Sequence, residues 1–224
     1  MFSLVAQRVI VHQIVDLSFD VNLYLVDAPK PVLVDAGVGG DGRRIAAQVQ
    51  GLLAGRKLHG IILTHRHFDH VGGAAELMSR FSTDVYASPG EAPALIQGDE
   101  VTTGAMSFGG RLVPMPVKIL DYDSTFNIGD GGLLVVHTPG HTEGSICLYH
   151  AKSKSLFTGD LVFTDGNVGR WDLSTGDFGQ IVDSLEKLTS YEVHNLYPGH
   201  GPYAESDGLD HIRLGLQVLR SLQR

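Results

Sequence analysis

The stretch Thr64-His65-Arg66-His67-Phe68-Asp69-His70 decides how the rest of this sequence is interpreted. It places three imidazoles and one carboxylate close together, directly after an apolar run over 60–63. Imidazole nitrogens and carboxylate oxygens are ligands of borderline divalent metals such as zinc. If the apolar run is a buried strand, these side chains lie on the loop at its carboxyl end, where scaffolds commonly present functional groups. The stretch therefore predicts a metal site.

The overall composition is that of an ordinary globular protein, with 43% hydrophobic and 19% charged residues among 224. A formal charge of -8 argues against nucleic acid as a partner, because phosphate binding requires a basic surface. The single Cys147 excludes an internal disulfide and fits a reducing compartment. No apolar run approaches the roughly 18 residues of a membrane span, and residues 1–5 lack the basic start of a signal peptide. We expect a cytoplasmic protein without a membrane partner.

One pattern recurs five times along the chain: an apolar, strand-like run, a loop marked by glycine, and a polar side chain of ligand type. The residues that end these runs are Asp35, the cluster 65–70, His141, Asp160 and His200. Glycine allows the backbone to approach a bound group closely. The recurrence predicts one site assembled from several loops.

Apolar periodicity predicts strands and helices in both halves of the chain. The predicted strands lie near 4–15, 21–26, 31–35, 60–64, 85–87, 118–122, 132–137, 145–150, 155–158 and 194–197. The predicted helices cover about 41–54, 72–80, 91–97, 177–189 and 206–222, with Asp41 as the N-cap of the first. Strands with interspersed helices indicate an α/β or α+β layered fold. The segment 89–116, rich in Gly and Pro, is expected to form a loop or lid over the site.

Seven candidate ligands exceed the four that one tetrahedral zinc takes, and they suit two metals that share a bridging group. They are His65, His67, Asp69, His70, His141, Asp160 and His200.

Together with Asp35, these residues match, in order and spacing, the five motifs of the metallo-β-lactamase-fold hydrolases. The flanking segments TPGHTEGSICLY (138–149), LFTGDLVF (156–163) and LYPGHG (196–201) resemble the glyoxalase II-like branch. The resemblance runs from about residue 20 to 201. It implies an α/β (α+β) fold, the four-layer αββα sandwich, with the site on the shared edge of two sheets. One departure from that branch is that only 24 residues follow His200, so we expect a single domain over 1–224 without the separate C-terminal glutathione-binding helical domain of glyoxalase II.

The same resemblance implies roles for the site residues. It assigns His65, His67 and His141 to a first metal, Asp69, His70 and His200 to a second, and Asp160 to both. Asp35 would brace the site by hydrogen bonds without binding metal. Two divalent ions are expected, with Zn²⁺ as the first choice and Fe or Mn as alternatives.

The expected reaction is hydrolysis of a small-molecule thioester of the hydroxyacylglutathione type. A hydroxide bridging the two metals would attack the carbonyl carbon, and Asp69, the expected catalytic residue, would orient it. A persulfide dioxygenase-like oxygenase with one iron on His65, His141 and Asp160 is the alternative. A lactonase is another, although Leu161 replaces the tyrosine usual after the bridging aspartate. A non-catalytic metal- or partner-binding module is a fourth interpretation, and the oligomeric state is left open.

Substrate choice is expected to lie in the segments 89–116 and 161–176. Within the second, Gly169-Arg170-Trp171-Asp172 resembles a stretch of glyoxalase II-like and persulfide dioxygenase-like relatives. Arg170 could bind a substrate carboxylate or form an ion pair with Asp172, and Trp171 could line the pocket. Cys147 lies in an apolar run and is expected to be a buried thiol rather than a nucleophile.

Overall fold

The computed structural model describes residues 9–222, which form two β-sheets and six α-helices. The first sheet contains β1 (Ile10–Asp16), β2 (Val21–Asp27), β3 (Val32–Val34), β4 (Gly60–Ile62), β5 (Val85–Ala87) and β6 (Lys118–Ile119). The second contains β7 (Thr125–Asn127), β8 (Gly132–His137), β9 (Ile146–His150), β10 (Ser155–Gly159) and β11 (Asn195–Pro198). The helices are α1 (Gly42–Leu53), α2 (Phe68–Val71), α3 (Ala74–Phe81), α4 (Ala92–Gln97), α5 (Phe178–Leu188) and α6 (Gly208–Leu222).

Strand order and direction determine which loops meet. The first sheet runs β1-β2-β3-β4-β5-β6, and β3 to β6 are parallel, with Val34 opposite Ile62. The second runs β11-β10-β9-β8-β7, and β10 and β11 are parallel, with Gly159 opposite Pro198. Parallel neighbours end at the same edge of a sheet. The loops after β3 and β4 therefore emerge side by side, and so do the loops after β10 and β11.

Alternation along the strands divides the core into layers. In β2, Leu23 and Leu25 pack with residues of α1 and α3, whereas Tyr24 and Val26 pack against the second sheet. The outer face of the second sheet is covered by α5 and α6, for example by Leu185. Successive side chains of a strand point to opposite faces, so one alternating sequence serves two apolar layers. The expected four-layer αββα sandwich is confirmed.

Local predictions differ from the structure in several places. Asp41 is the N-cap residue of α1, as predicted, but its carboxylate accepts a hydrogen bond from Arg44 Nε at 2.7 Å and none from a backbone N–H of the first turn. The short strand β7, with one buried side chain, was not predicted. The strand predicted over 4–15 begins at Ile10, and its first part, 4–8, lies outside the described residues. Within 9–222, no helix combines the length and apolar character needed to cross a membrane.

Cys147 is a fully buried residue of β9, and Thr138 Oγ1 donates a hydrogen bond to its sulfur at 3.4 Å. Burial is the main cause that raises the pKa of this thiol to about 12. A thiol that keeps its proton at neutral pH is a poor nucleophile. The expectation of a packed thiol is confirmed.

Shortening a side chain between the two sheets should destabilise the whole protein. Leu148 is fully buried in that layer, so Leu148→Ala should lower the free energy of unfolding by about 2–5 kcal/mol, through lost burial and a residual cavity. Leu17→Ala is the control, because that side chain is 71% exposed. Urea unfolding measures both. Equal stability of the two variants would contradict the assignment of this layer to the core.

Candidate metal centre

The loop after β4 and the short helix α2 present the histidine-rich stretch. Asp35, directly after β3, accepts hydrogen bonds from the Thr64 backbone N–H at 2.8 Å and from its hydroxyl at 2.9 Å. The second carboxylate oxygen of Asp35 also contacts His70 Nδ1 at 2.9 Å. Asp35 thus holds both ends of the stretch, and it belongs to neither group of candidate ligands described below. The bracing contacts expected of Asp35 are present.

The second sheet supplies the other candidate ligands: His141 in the loop before β9, Asp160 after β10 and His200 after β11. Two backbone hydrogen bonds join the sheets at this edge. Ile146 N–H donates to the Thr64 carbonyl at 3.0 Å, and Asn22 N–H donates to the Gly199 carbonyl at 2.7 Å. These bonds bring all seven predicted site residues together in two adjacent groups.

Three histidines form the first group, namely His65, His67 and His141. The Nε2 atom of His141 lies 2.8 Å from Nδ1 of His67 and 3.3 Å from Nε2 of His65. Burial is the main cause that lowers the pKa of each ring, to about 3 for His67, and neighbouring imidazoles act in the same direction. A neutral imidazole is the form that binds a metal. The group therefore offers three converging nitrogen donors.

Two carboxylates and two histidines form the second group: Asp69, His70, Asp160 and His200. His200 Nε2 lies 3.2 Å from Asp69 Oδ2 and 3.4 Å from Asp160 Oδ2. Burial acts to lower the pKa of His70, but the carboxylates of Asp160, Asp69 and Asp35 outweigh it and raise that pKa. Burial also opposes the shift of His200, whose hydrogen bonds with Asp160 and Asp69 raise its pKa to about 10. A cation entering this group would displace protons.

Asp160 faces both groups. Its Oδ2 lies 3.7 Å from Nε2 of His141 in the first group and 3.4 Å from Nε2 of His200 in the second. Its Oδ1 lies 3.2 Å from Nε2 of His70. One carboxylate can bridge two metals when its two oxygens reach both sites. The position of Asp160 is compatible with that role.

Most of the ring nitrogens that point away from the two groups have partners. The outer nitrogens contact Thr64 Oγ1 at 3.0 Å from His65, Asp35 Oδ2 at 2.9 Å from His70, the Arg170 carbonyl at 2.7 Å from His141, and the Asp20 carbonyl at 3.0 Å from His200. A carbonyl only accepts, so the facing ring nitrogens of His141 and His200 donate. Such partners fix the ring orientation and leave the opposite nitrogen free as a metal ligand.

Two buried atoms test whether a metal fits. Nε2 of His70 and Oδ1 of Asp160 face each other at 3.2 Å, yet neither has a hydrogen-bond partner of good geometry among the described residues. A buried polar atom without a partner costs free energy. A divalent cation takes both imidazole nitrogen and carboxylate oxygen as ligands. The donor set and these two atoms fit bound metal.

A cavity of about 500 Å³ opens beside the two groups. Its floor includes His67, Asp69, His141 and Asp160, and its walls come from 101–108 and 163–174. Apolar wall residues include Val101, Phe108, Phe163, Val168 and Leu173. Both segments expected to govern substrate choice therefore contribute to one cavity over the candidate ligands.

The side chain of Arg170 forms a two-point ion pair with Asp172, at 2.9 and 2.8 Å, and both side chains are largely exposed. Of the two roles considered for this arginine, the structure contains the ion pair. The Arg170 carbonyl has a second task, since it holds the His141 ring. Trp171 packs on Phe178, with ring centroids 5.1 Å apart, and is not among the residues that line the cavity.

Arg66 is a residue of the stretch whose contacts its sequence pattern does not predict. Its side chain is only 6% exposed and contacts Glu91 and Glu143. The sequence did contain one signal for a role of this residue. It places an arginine between two candidate ligand histidines, in a segment that must be buried to form a site. Its partners are 25 and 77 residues away in the chain, so the sequence did not identify them.

Residues 18–200 match the family model described as the metallo-beta-lactamase superfamily. The chain belongs to the metallo-β-lactamase superfamily. Its relatives include the "Probable metallo-hydrolase MJ0888" of Methanocaldococcus jannaschii, 33% identical over 203 residues that cover 88% of this chain and 95% of the relative. The family match and this relative identify the chain as a metallo-hydrolase of this superfamily.

The names of two further relatives of this superfamily member state an activity. The acyl-coenzyme A thioesterase MBLAC2 of Gallus gallus is 32% identical over 206 residues, 80% of this chain and 72% of the relative. The hydroxyacylglutathione hydrolase GloC of Haemophilus influenzae is 28% identical over 193 residues, 83% and 88% respectively. Among solved structures, TTHA1623 in a di-iron-bound form is 31% identical with a TM-score of 0.71, and the match covers 94% of this chain and 97% of that one.

Adding a methyl group behind the site should disturb metal binding. A Cβ at Gly199 would lie 2.2 Å from Asp160 Oδ1 and 2.6 Å from His70 Cε1, so Gly199→Ala must displace two candidate ligands. We expect a stability loss of about 1–3 kcal/mol from overpacking and lower metal content by elemental analysis. Gly51→Ala on α1 is the control, since nothing lies within 4 Å of the added atom. Unchanged metal content in Gly199→Ala would contradict the ligand assignment.

Lowering the pH should release metal from the second group before the first. The raised pKa values of His70 and His200 mean that protons compete for this group near neutral pH, and more strongly as pH falls. The lowered pKa values of the first group, about 3 for His67, keep those rings unprotonated over the same range.

Chelator competition between about pH 8 and pH 5, around the normal histidine range, measures this difference. The variant His200→Ala reports the first group, and His67→Ala reports the second. The expected order would be reversed if the first group lost its metal at a higher pH than the second. That result would contradict the protonation states assigned to the two groups.

Proposed function

We propose that this metallo-hydrolase cleaves a small-molecule thioester of the hydroxyacylglutathione type, with two divalent ions, Zn²⁺ first among them, on the seven candidate ligands. The observation that carries the proposal is the position of Asp160. Its carboxylate faces both donor groups and also lines the cavity. A substrate in that cavity would therefore lie against both groups at once.

The ions would supply Lewis-acid polarisation of a carbonyl and a lowered pKa of water. The chain would supply orientation. Asp69 lines the cavity, and one of its oxygens lies 3.2 Å from His200 Nε2. Burial acts to raise the pKa of Asp69, but the charge of His70 and the hydrogen bond with His200 prevail and lower it. An ionised Asp69 would accept a hydrogen bond from the attacking water and direct its lone pair toward the carbonyl carbon. The C–S bond would then break, one proton of the water would pass to the leaving sulfur, and the products would be a carboxylic acid and a thiol.

The cavity walls support a substrate with an apolar part. Phe108, Phe163 and Leu173 would pack on the acyl or thiol portion and exclude bulk water from the reacting carbonyl. Arg170, a cation at this cavity, is already held by Asp172, so an anionic substrate would compete for it. The names of MBLAC2 and GloC support a thioester over other acyl substrates.

The direct test is hydrolysis of S-lactoylglutathione by protein loaded with zinc, followed as loss of thioester absorbance. We expect turnover, and we expect Asp160→Ala to reduce kcat/KM by more than about 100-fold, because it removes a candidate ligand rather than an outer partner. Asp84→Ala is the matched control, since Asp84 pairs with Lys118 at the surface. Inactivity toward a panel of thioesters at full metal occupancy would refute the proposal.

Native metal content separates the proposal from the oxygenase alternative. Protein purified without chelator or added metal should contain two ions per chain and should not consume oxygen with glutathione persulfide. One iron per chain together with oxygen uptake would favour the persulfide dioxygenase-like reaction instead.

A further inference from the structure

Arg66 is a buried cation inside the ligand turn, flanked in sequence by His65 and His67. Its guanidinium contacts the carboxylate of Glu91, which is fully buried, and donates to the Gly90 carbonyl at 2.6 Å. A second carboxylate, that of the largely exposed Glu143, accepts at 2.7 Å. The positive charge of Arg66 is therefore neutralised by groups that come from two other segments of the chain.

Glu91 extends these contacts to the loop that carries His141. Its other carboxylate oxygen accepts a hydrogen bond from the hydroxyl of Thr142, the residue directly after His141. Thr142 is itself fully buried, and its hydroxyl also contacts Ser145 Oγ at 2.6 Å. One continuous chain of polar contacts thus runs from the turn with His65 and His67 to the loop with His141.

These contacts bridge the two halves of the three-histidine group. His65 and His67 follow a strand of the first sheet, whereas His141 precedes a strand of the second. To bind one metal, the three ring nitrogens must stay close enough together to contact the same ion. Because the rings lie on loops of different sheets, a connection between those loops is needed to maintain that spacing. The outer nitrogen of His141 contacts the Arg170 carbonyl, which orients the ring but does not link it to the turn.

Stability alone is a weak reason for such a network. Removing two charges from water costs free energy, and a buried ion pair is often replaceable by apolar side chains of similar size without loss. A polar network that is fully satisfied instead specifies one arrangement of the groups that it joins. Arg66 and Glu91 are such a pair, placed where two ligand-bearing loops must keep a fixed separation.

We propose that Arg66, Glu91 and Thr142 are positioning residues that set the separation between the His65–His67 turn and His141, and so tune the metal affinity of the three-histidine group. The inference rests on the proposed assignment of metal ligands and is independent of the substrate. The second group has its own supports, from Asp35 and the Asp20 carbonyl. The network should therefore affect the metal affinity of the three-histidine group and leave that of the second group unchanged.

The test measures Co²⁺ binding by each group separately. The background His200→Ala weakens the second group and reports the first, and the background His67→Ala does the reverse. In the first background, Thr142→Val and Glu91→Gln should each lower Co²⁺ affinity by about 10–100-fold, as loss of an outer partner does, and should change the visible absorption of bound Co²⁺. In the second background, both changes should leave the affinity unaltered.

Two further variants separate positioning from charge and from general stability. Arg66→Met removes a cation, so an effect of charge alone would raise Co²⁺ affinity, whereas loss of positioning lowers it. Thr83→Val is the matched control for Thr142→Val, because it also removes a hydroxyl hydrogen bond, to the Leu58 carbonyl at 3.1 Å, away from the site. Thr142→Val leaves no charge unpaired, so the test does not depend on how well the charge variants fold.

Equal Co²⁺ affinity of Thr142→Val and its parent in the His200→Ala background would overturn the inference. So would a rise in affinity in Arg66→Met, or an equal loss in both backgrounds, which would indicate a purely structural network. Co²⁺ binding is measured without a substrate. A failure of the protein to hydrolyse thioesters would therefore refute the proposed reaction without affecting the outcome of this test.

Discussion

The packing of the two sheets against each other is the constraint on which the site depends. The stretch 65–70 follows a strand of the first sheet, and His141, Asp160 and His200 belong to loops of the second. The apolar layer between the sheets and the hydrogen bond from Ile146 N–H to the Thr64 carbonyl bring these loops to one edge. Neither sheet alone holds a complete set of ligands for either group. The complete site therefore exists only where the two sheets are packed together.

The two donor groups differ in charge although they share one edge. The first contains three buried histidines whose pKa values are lowered, and the second adds two carboxylates that raise the pKa values of His70 and His200. Protons therefore compete with a metal more strongly at His70 and His200 in the second group than at the three rings of the first. Asp160 couples the groups because its carboxylate faces both. The two groups therefore differ in how strongly protons compete with a bound metal.

Residues outside the two donor groups hold the ligand-bearing loops by hydrogen bonds. Asp35, in a left-handed conformation with φ 61°, braces Thr64 and His70. Non-glycine residues in that region are uncommon and often occur at functional sites. The Arg66 network adds a connection between loops on the two sheets. These hydrogen bonds within the chain orient the ligands, and a metal that binds only the folded state would add to stability.

The residue types and their spacing were sufficient to predict the donor set and the layered fold, because ligand chemistry and strand alternation are local properties. They placed the N-cap of α1 at Asp41 correctly but not its side-chain contact, which is with Arg44, and they missed the short β7, whose three residues carry too little periodicity. Which ring nitrogens converge, how Asp160 faces both groups and what lines the cavity were decided only by the tertiary structure. The reason is separation along the chain. His67 and His141 are 74 residues apart, and the packing of the two sheets brings Nδ1 of His67 to 2.8 Å from Nε2 of His141.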